Sequence, residues 1–298
     1  MLANRHLRYL ERHPLEIALA LLLAALYGPL LLHWIDGWVN KSISIQHEYF
    51  SHGLIGLPFA AYIAWEKRQQ WQQLVPQINP VGLGLIGIAT VFYLSGLGDW
   101  MNVSLPLMLT GICLVLKGTA GLRLEAFPLL LVALATPSQA PYLIEPYILP
   151  LQRFIAGAAG FLLIQFGIDV DVNQIYLLVN NQPVEVAPHC AGLKMLFTSL
   201  YVGLMLLYWT GVWRSRLQTG LFLSATIALS VVGNIVRNTL LSFFHGTGQN
   251  GAFDWLHESW GGDLYSAIML FLLIVLIRGV QRYIPSTLAL QIDHDSAV

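Results

Sequence analysis

The sequence predicts an all-α polytopic membrane protein, and three observations carry that expectation. Of 298 residues, 56% are hydrophobic and only 10% are charged, where a soluble domain is typically about 25% charged. Apolar stretches recur along the whole chain, and several approach the roughly 20 residues that a bilayer crossing needs. Lys and Arg gather in short connections between those stretches, as cytoplasmic loops require. The net charge of -1 comes without a basic stripe or dense basic run, so no nucleic-acid partner is expected.

Nine apolar segments follow in order, at about 15–35, 53–66, 80–98, 103–118, 126–136, 147–167, 190–211, 219–244 and 263–281. Arg5, Arg8 and Arg12 precede the first. With no clear cleavage site behind it, that run reads as an uncleaved span rather than a signal peptide. Lys67 and Arg68, Lys117 and Arg123, and Arg214 and Arg216 mark three cytoplasmic loops, and Arg278 and Arg282 hold the C-terminus on the same side. The expected organisation is a cytoplasmic tail at 1–14, a transmembrane domain at 15–284 and a second cytoplasmic tail at 285–298.

Nine crossings cannot leave both ends inside, so one segment fails to span. The first suspect is 147–167, which contains Pro150, Gln152, Arg153 and Gln165. An interfacial or re-entrant helix tolerates those groups better than lipid core does. The short fifth segment is the other suspect. The expectation is about eight transmembrane helices, one interfacial or re-entrant segment, and an extracytoplasmic stretch at 168–189. Within that stretch Ile175–Val179 and Val184–Val186 favour strands, and Asn180, Asn181 and Gln182 supply a turn. A small β-hairpin fits there, as does a plain loop.

The chemistry concentrates late in the chain. In "VEVAPHCAGLKML" Cys190 stands where the polar stretch meets an apolar helix, with His189 before it and Gly192 two residues after. Helix N-termini present free N–H groups and partial positive charge, which favour a thiolate. The bland alternative is a cysteine that only packs, as Cys113 within "LMLTGICLVL" is read to do. "VVGNIVRNTLLSFF" places Arg237 inside a span, where a charge marks function by default. Asn234 and Asn238, four apart, share a face beside it. Snorkelling to the headgroups is the alternative for Arg237. Arg237 lies 19 residues beyond Gln218, or about 28 Å along a helix, which is the outer level of Cys190.

The outer loop then brings His245 and His257. A thiolate can attack a carbonyl, an imidazole can pass a proton to the leaving amine, and a guanidinium can hold the charge. The chemistry alone leaves open which histidine serves, and a lone outer-loop histidine more often packs or lies at the surface. "HEYFSH" has one residue too many for a zinc-protease motif, and no tight ligand spacing supports a metal site. Neither metal nor other cofactor is expected.

"PHCAGLKML", "NIVRN" and "FDWLHESWGG" occur in that order on successive late spans. Together with "YFSHGLIGLPFAAYIAWEKR" and "GIDVDVNQIYLLVNNQPVEVAPHCAG", they resemble the exosortase/archaeosortase family over about residues 50–281. The resemblance implies a plasma-membrane cysteine transpeptidase with its active site at the extracytoplasmic face. Its partners would be exported proteins with a C-terminal PEP-CTERM-type tail, together with an acceptor at the outer face. The resemblance carries the nucleophile to Cys190, the arginine role to Arg237 and the histidine role to His257, with His189, Gly192, Asn234 and Asn238 in support. "CAGL" replaces the commoner "CSGL", and His189 precedes the cysteine; both details resemble the cyanobacterial branch. The rival class is a transporter or flippase using Arg237, Asn234 and Asn238 as a midplane site, against which their outer depth argues. A non-catalytic assembly factor is the third reading.

Overall fold

The computed structural model describes residues 14–40, 49–186, 192–257 and 259–284. His189, Cys190, His47, the N-terminal arginines and the tail from 285 onward lie outside them. The chain divides into two compact units, residues 1–138 and 139–298. Among the described residues five helices are long and apolar enough to cross a membrane: Ala18–Asn40, Gly98–Ala135, Leu193–Thr210, Arg216–Gly246 and Trp260–Tyr283. Lipid-facing residues such as Leu21, Leu32, Val91 and Phe271 are exposed, as expected of an integral membrane protein.

The first unit holds α1 (Pro14–Asn40), α2 (Gly53–Glu66), the short α3 (Arg68–Gln73), α4 (Pro80–Leu94) and α5 (Gly98–Ala135). Several of its polar groups pair inside the apolar layer, as a low-dielectric setting favours. Trp34 Nε1 donates to Asn102 Oδ1 at 2.8 Å, and Tyr27 Oη meets Ser104 Oγ at 3.1 Å. Asn79 caps α4 by accepting from Val81 N, with Pro80 at the first position. Gly82 and Gly111 let α4 and the first half of α5 touch backbones; a Cβ on either would stand under 3 Å from the other's carbonyl oxygen.

α5 is in fact two helices. Gly118 inside it has φ 59° and ψ -152°, a region open essentially to glycine. A Cβ on Gly121 would lie 3.3 Å from the carbonyl oxygen of Cys113. Along a straight helix eight residues span about 12 Å, so the chain turns back sharply at Gly118. The sequence reading placed a loop carrying Lys117 and Arg123 between segments 103–118 and 126–136. That loop is a single hinge glycine, and Arg123 lies in the second helix. Lys117 is drawn to the Leu74 carbonyl by a 2.6 Å hydrogen bond from Nζ.

The second unit begins with the short α6 (Ala140–Ile144) and α7 (Leu149–Gln165). A three-stranded antiparallel sheet follows, β1 (Val170–Asn173), β2 (Tyr176–Val179) and β3 (Gln182–Glu185), in the order β1-β2-β3. Then come α8 (Leu193–Thr210), α9 (Arg216–Gly246), α10 (Asn250–His257) and α11 (Trp260–Tyr283). The expected hairpin is present as β2 and β3, with Val179 opposite Gln182. Asn180 and Asn181 both have positive φ, the signature of a type I′ turn. β1 went unread although Val170 and Val172 alternate with Asp171 and Asn173, because the strand is only four residues long.

The sheet is half-buried. Leu177 and Val179 face inward, and Tyr176 and Leu178 outward. α7 lies along the inner face: Gln152 Nε2 donates to Val186 O at 3.0 Å near its start, and Gly160 accommodates Val172 in its middle. Gly246, at the end of α9, seats Val179 and accepts from Asn180 Nδ2 at 3.1 Å.

α8, α9 and α11 pack around a polar row on α9. Gln218, Phe222, Thr226, Ser230, Asn234, Asn238, Ser242 and Gly246 recur every fourth residue and are all buried. Small and polar residues at this spacing let membrane helices approach closely. Leu207, Val212, Phe222 and Ile277 close one end of the bundle with an apolar cluster.

Candidate functional site

The other end of the bundle gathers the chemistry. Four contacts meet on α9 within two turns. Gly192, where α8 begins, rests on Asn234: a Cβ there would stand 2.6 Å from Asn234 Cγ. Gly192 has φ +82°, so glycine is required both for the turn and for the approach. Gly233 is covered by Met269 and Met195, and the Tyr265 hydroxyl of α11 donates to the Gly233 carbonyl. Gly262, in the first turn of α11, has Arg237 Nη2 at 3.9 Å and the His257 carbonyl oxygen at 4.0 Å from its Cβ position. The openings of α8 and α11 therefore stand at one level of α9. That level is about 27–32 Å from Arg216 at 1.5 Å per residue. α9 continues nine residues past Arg237 to Gly246, where it carries the sheet.

Arg237 is half-buried and turned toward the start of α11. Asn238 is buried and spends an amide proton on the Asn234 carbonyl at 2.9 Å. Asn234 is different. Its side chain is 1% exposed, and neither amide atom has a hydrogen-bond partner among the described residues. A buried polar group left so costs about 1–3 kcal/mol, which makes its retention a feature needing a cause.

The two histidines of the outer loop share one aromatic. Phe253 stacks on His257 with centroids 5.2 Å apart and planes 11° off parallel, and its ring meets His245 at 5.4 Å. His257 ends α10, four residues before the Gly261–Gly262 pair, whose second glycine Arg237 approaches. Gly261 is needed because a Cβ would collide with Trp255. Sequence reasoning gave Phe253 and Tyr265 no part, and used the glycine pair only as the end of "HESWGG". The only signal was a tyrosine and a phenylalanine at belt positions.

Of "HEYFSH", His47 and Glu48 lie outside the described residues, and His52 holds helices together. His52, at the head of α2, donates from Nε2 to the Leu134 carbonyl at 3.1 Å. Burial, only partly offset by backbone hydrogen bonds, pushes its imidazole down to about 4, so the ring is neutral and ties α2 to α5. Among the described residues no three His, Cys, Asp or Glu side chains are grouped to hold a metal ion.

His189 and Cys190 lie outside the described residues, and Gly192 is the described residue closest after them in the chain. Asn234, Arg237 and the His257 segment come together around the α8 and α11 openings. His245 enters only through Phe253.

A family model described as Transmembrane exosortase (Exosortase_EpsH) matches residues 38–274. No curated protein and no solved structure matches the chain. The match spans well over half of the chain, and the chain belongs to the transmembrane exosortase family.

Proposed function

We propose that this protein is a membrane cysteine transpeptidase that processes PEP-CTERM-type sorting tails of exported proteins. The observation that carries the reading is the meeting of the α8 and α11 openings on Asn234 and Arg237. One opening follows the cysteine segment and the other follows His257. Family membership, which points to a membrane transpeptidase for sorting signals, supports the same reading.

Cys190 is the nucleophile in this reading. His257 takes the thiol proton and returns it to the leaving amine. Arg237 holds negative charge at the outer end of α9. The thioester persists until water or an acceptor amine arrives at the outer face. The substrate's apolar helix lies in the bilayer beside the enzyme, and its cleavage motif emerges level with α8's first turn. His189, Gly192, Asn234 and Asn238 support the site in this reading. The cyanobacterial branch is part of the same proposal, on the residues around Cys190.

The topology that serves this chemistry has eight spans, both termini and the Lys67 and Arg214 loops in the cytoplasm, and the sheet outside. α7 is the segment that does not cross. Its contacts with the sheet, from Gln152 through Gly160, support an interfacial position.

The test is a tagged reporter ending in a PEP-CTERM-type tail, co-expressed with wild type or Cys190→Ala. Shortening in wild type that vanishes in Cys190→Ala, at equal membrane insertion, is expected. Shortening that persists in Cys190→Ala removes the cysteine from the mechanism. Uptake of an anionic solute lost only in Arg237→Ala would favour the transporter class instead.

A further inference from the structure

We infer that Tyr265 is the positioning residue of Arg237: its hydroxyl holds α11 against the turn of α9 that carries the guanidinium. The inference rests on Arg237 as the charge-holding residue of the proposed transpeptidase, and it gives that residue a support on the neighbouring helix.

Three contacts between α9 and α11 lie along one seam. Met269 packs on the bare Gly233, where its Sδ and Cε would stand 2.7 and 2.6 Å from a Cβ. The Tyr265 hydroxyl, one turn earlier on α11, donates to the Gly233 carbonyl oxygen. Arg237, one turn later on α9, brings Nη2 to 3.9 Å from the Cβ position of Gly262. Gly233 and Arg237 are four apart and share a face of α9, as Gly262 and Tyr265, three apart, share a face of α11. Partners advance along α9 as they recede along α11, so the helices run antiparallel here and the Tyr265 bond lies one turn from the guanidinium. The hydroxyl is within electrostatic reach of that charge.

The identity of the acceptor makes the link specific. In an α-helix the N–H of a residue pairs with the carbonyl four before it, and α9 runs unbroken from Arg216 to Gly246. The Gly233 carbonyl therefore takes the Arg237 N–H on one lone pair and the Tyr265 O–H on the other. The same oxygen roots Arg237 in its own helix and ties that turn to α11. An arginine on a membrane helix can otherwise run along the lipid face toward the headgroups. Gly262 offers it a notch with no side chain, and the Tyr265 bond keeps that notch in reach. Phenylalanine would fill the same apolar space, so what tyrosine adds is the hydroxyl.

The experiment uses the full-length protein in membranes and compares reporter processing at equal protein level in the parent, Tyr265→Phe, Met269→Leu, Arg237→Lys and the Tyr265→Phe/Arg237→Lys double variant. Tyr265→Phe is expected to lower processing by about 10–100-fold, the scale of a displaced catalytic group. In the Arg237→Lys background the same change is expected to cost less than about threefold, because lysine is a flexible point charge with no planar fork to orient. Met269→Leu, which keeps the packing on Gly233, is expected to stay within about twofold of the parent, as a volume-conserving swap does. Parent-rate processing in Tyr265→Phe overturns the inference. So does an equal loss in the two Arg237 backgrounds, which would make the hydroxyl act apart from the guanidinium. A loss in Met269→Leu as large as that in Tyr265→Phe overturns it by assigning the effect to packing. Failure of Tyr265→Phe to accumulate does so by assigning the hydroxyl to folding. Processing that survives in Cys190→Ala would instead sink the transpeptidase reading itself, whatever Tyr265 does.

Discussion

Asn234 and the two outer-loop histidines show how side chains of one type take different duties from their surroundings. Asn234 and Asn238 are one turn apart and equally hidden, yet only Asn238 satisfies its amide locally. His245 and His257 both meet Phe253, but only His257 adjoins the glycine pair that Arg237 approaches. Chemistry and spacing alone left those two histidines open, since both sit in one loop, and only the family resemblance favoured His257. Their difference is one of helix ends: α9 carries His245 past the site, and α10 returns His257 to it. His257→Ala is therefore expected to lower reporter processing by about 10²-fold or more, as loss of a general acid–base does. His245→Ala is expected to keep processing within about fivefold. Equal losses in processing assays of the two variants would reverse the assignment.

At the scale of elements, the nine apolar segments were legible because a bilayer makes length and hydropathy carry the information. All nine contain helices. The boundaries were less legible. The Gly118 hinge was hidden because a tight turn needs only one residue, and no composition shift marks it. Its dihedral angles exclude a Cβ at a cost of about 1–3 kcal/mol. Gly118→Ala is expected to lower the thermal stability of the detergent-solubilised protein by several degrees. A melting temperature equal to the parent's would show that the fold-back tolerates another geometry. β1 was missed for a related reason. Its four residues alternate apolar and polar, too short a run to stand out from the loop that holds it.

At the scale of the whole molecule, the proposed topology and the sheet contacts ask the same of α7, that it lie outside the set of crossing helices. With both ends in the cytoplasm, as proposed above, nine segments require one that does not cross, and α7 is the segment that contacts the sheet from Gln152 to Gly160. Impermeant maleimide on intact cells is expected to label Gln174→Cys and Thr247→Cys, and to label Arg68→Cys and Arg214→Cys only after permeabilisation. Protection of Gln174→Cys in intact cells would place the sheet inside and refute the eight-span arrangement.

Sequence alone carried the membrane class, the order of the helices and the candidate residues, and offered the hairpin at Asn180–Gln182 as one of two readings of that stretch. These follow from local composition and spacing, which the bilayer reads one segment at a time. Only the tertiary structure decided that α5 folds back at Gly118, and that α7 lies along the sheet. It alone set Asn234 against Gly192 and Arg237 beside the His257 segment. Those arrangements depend on which helices approach backbone to backbone. That is set by small residues at Gly192, Gly233 and Gly262 meeting partners tens of residues away, and no local pattern in one chain records the partner.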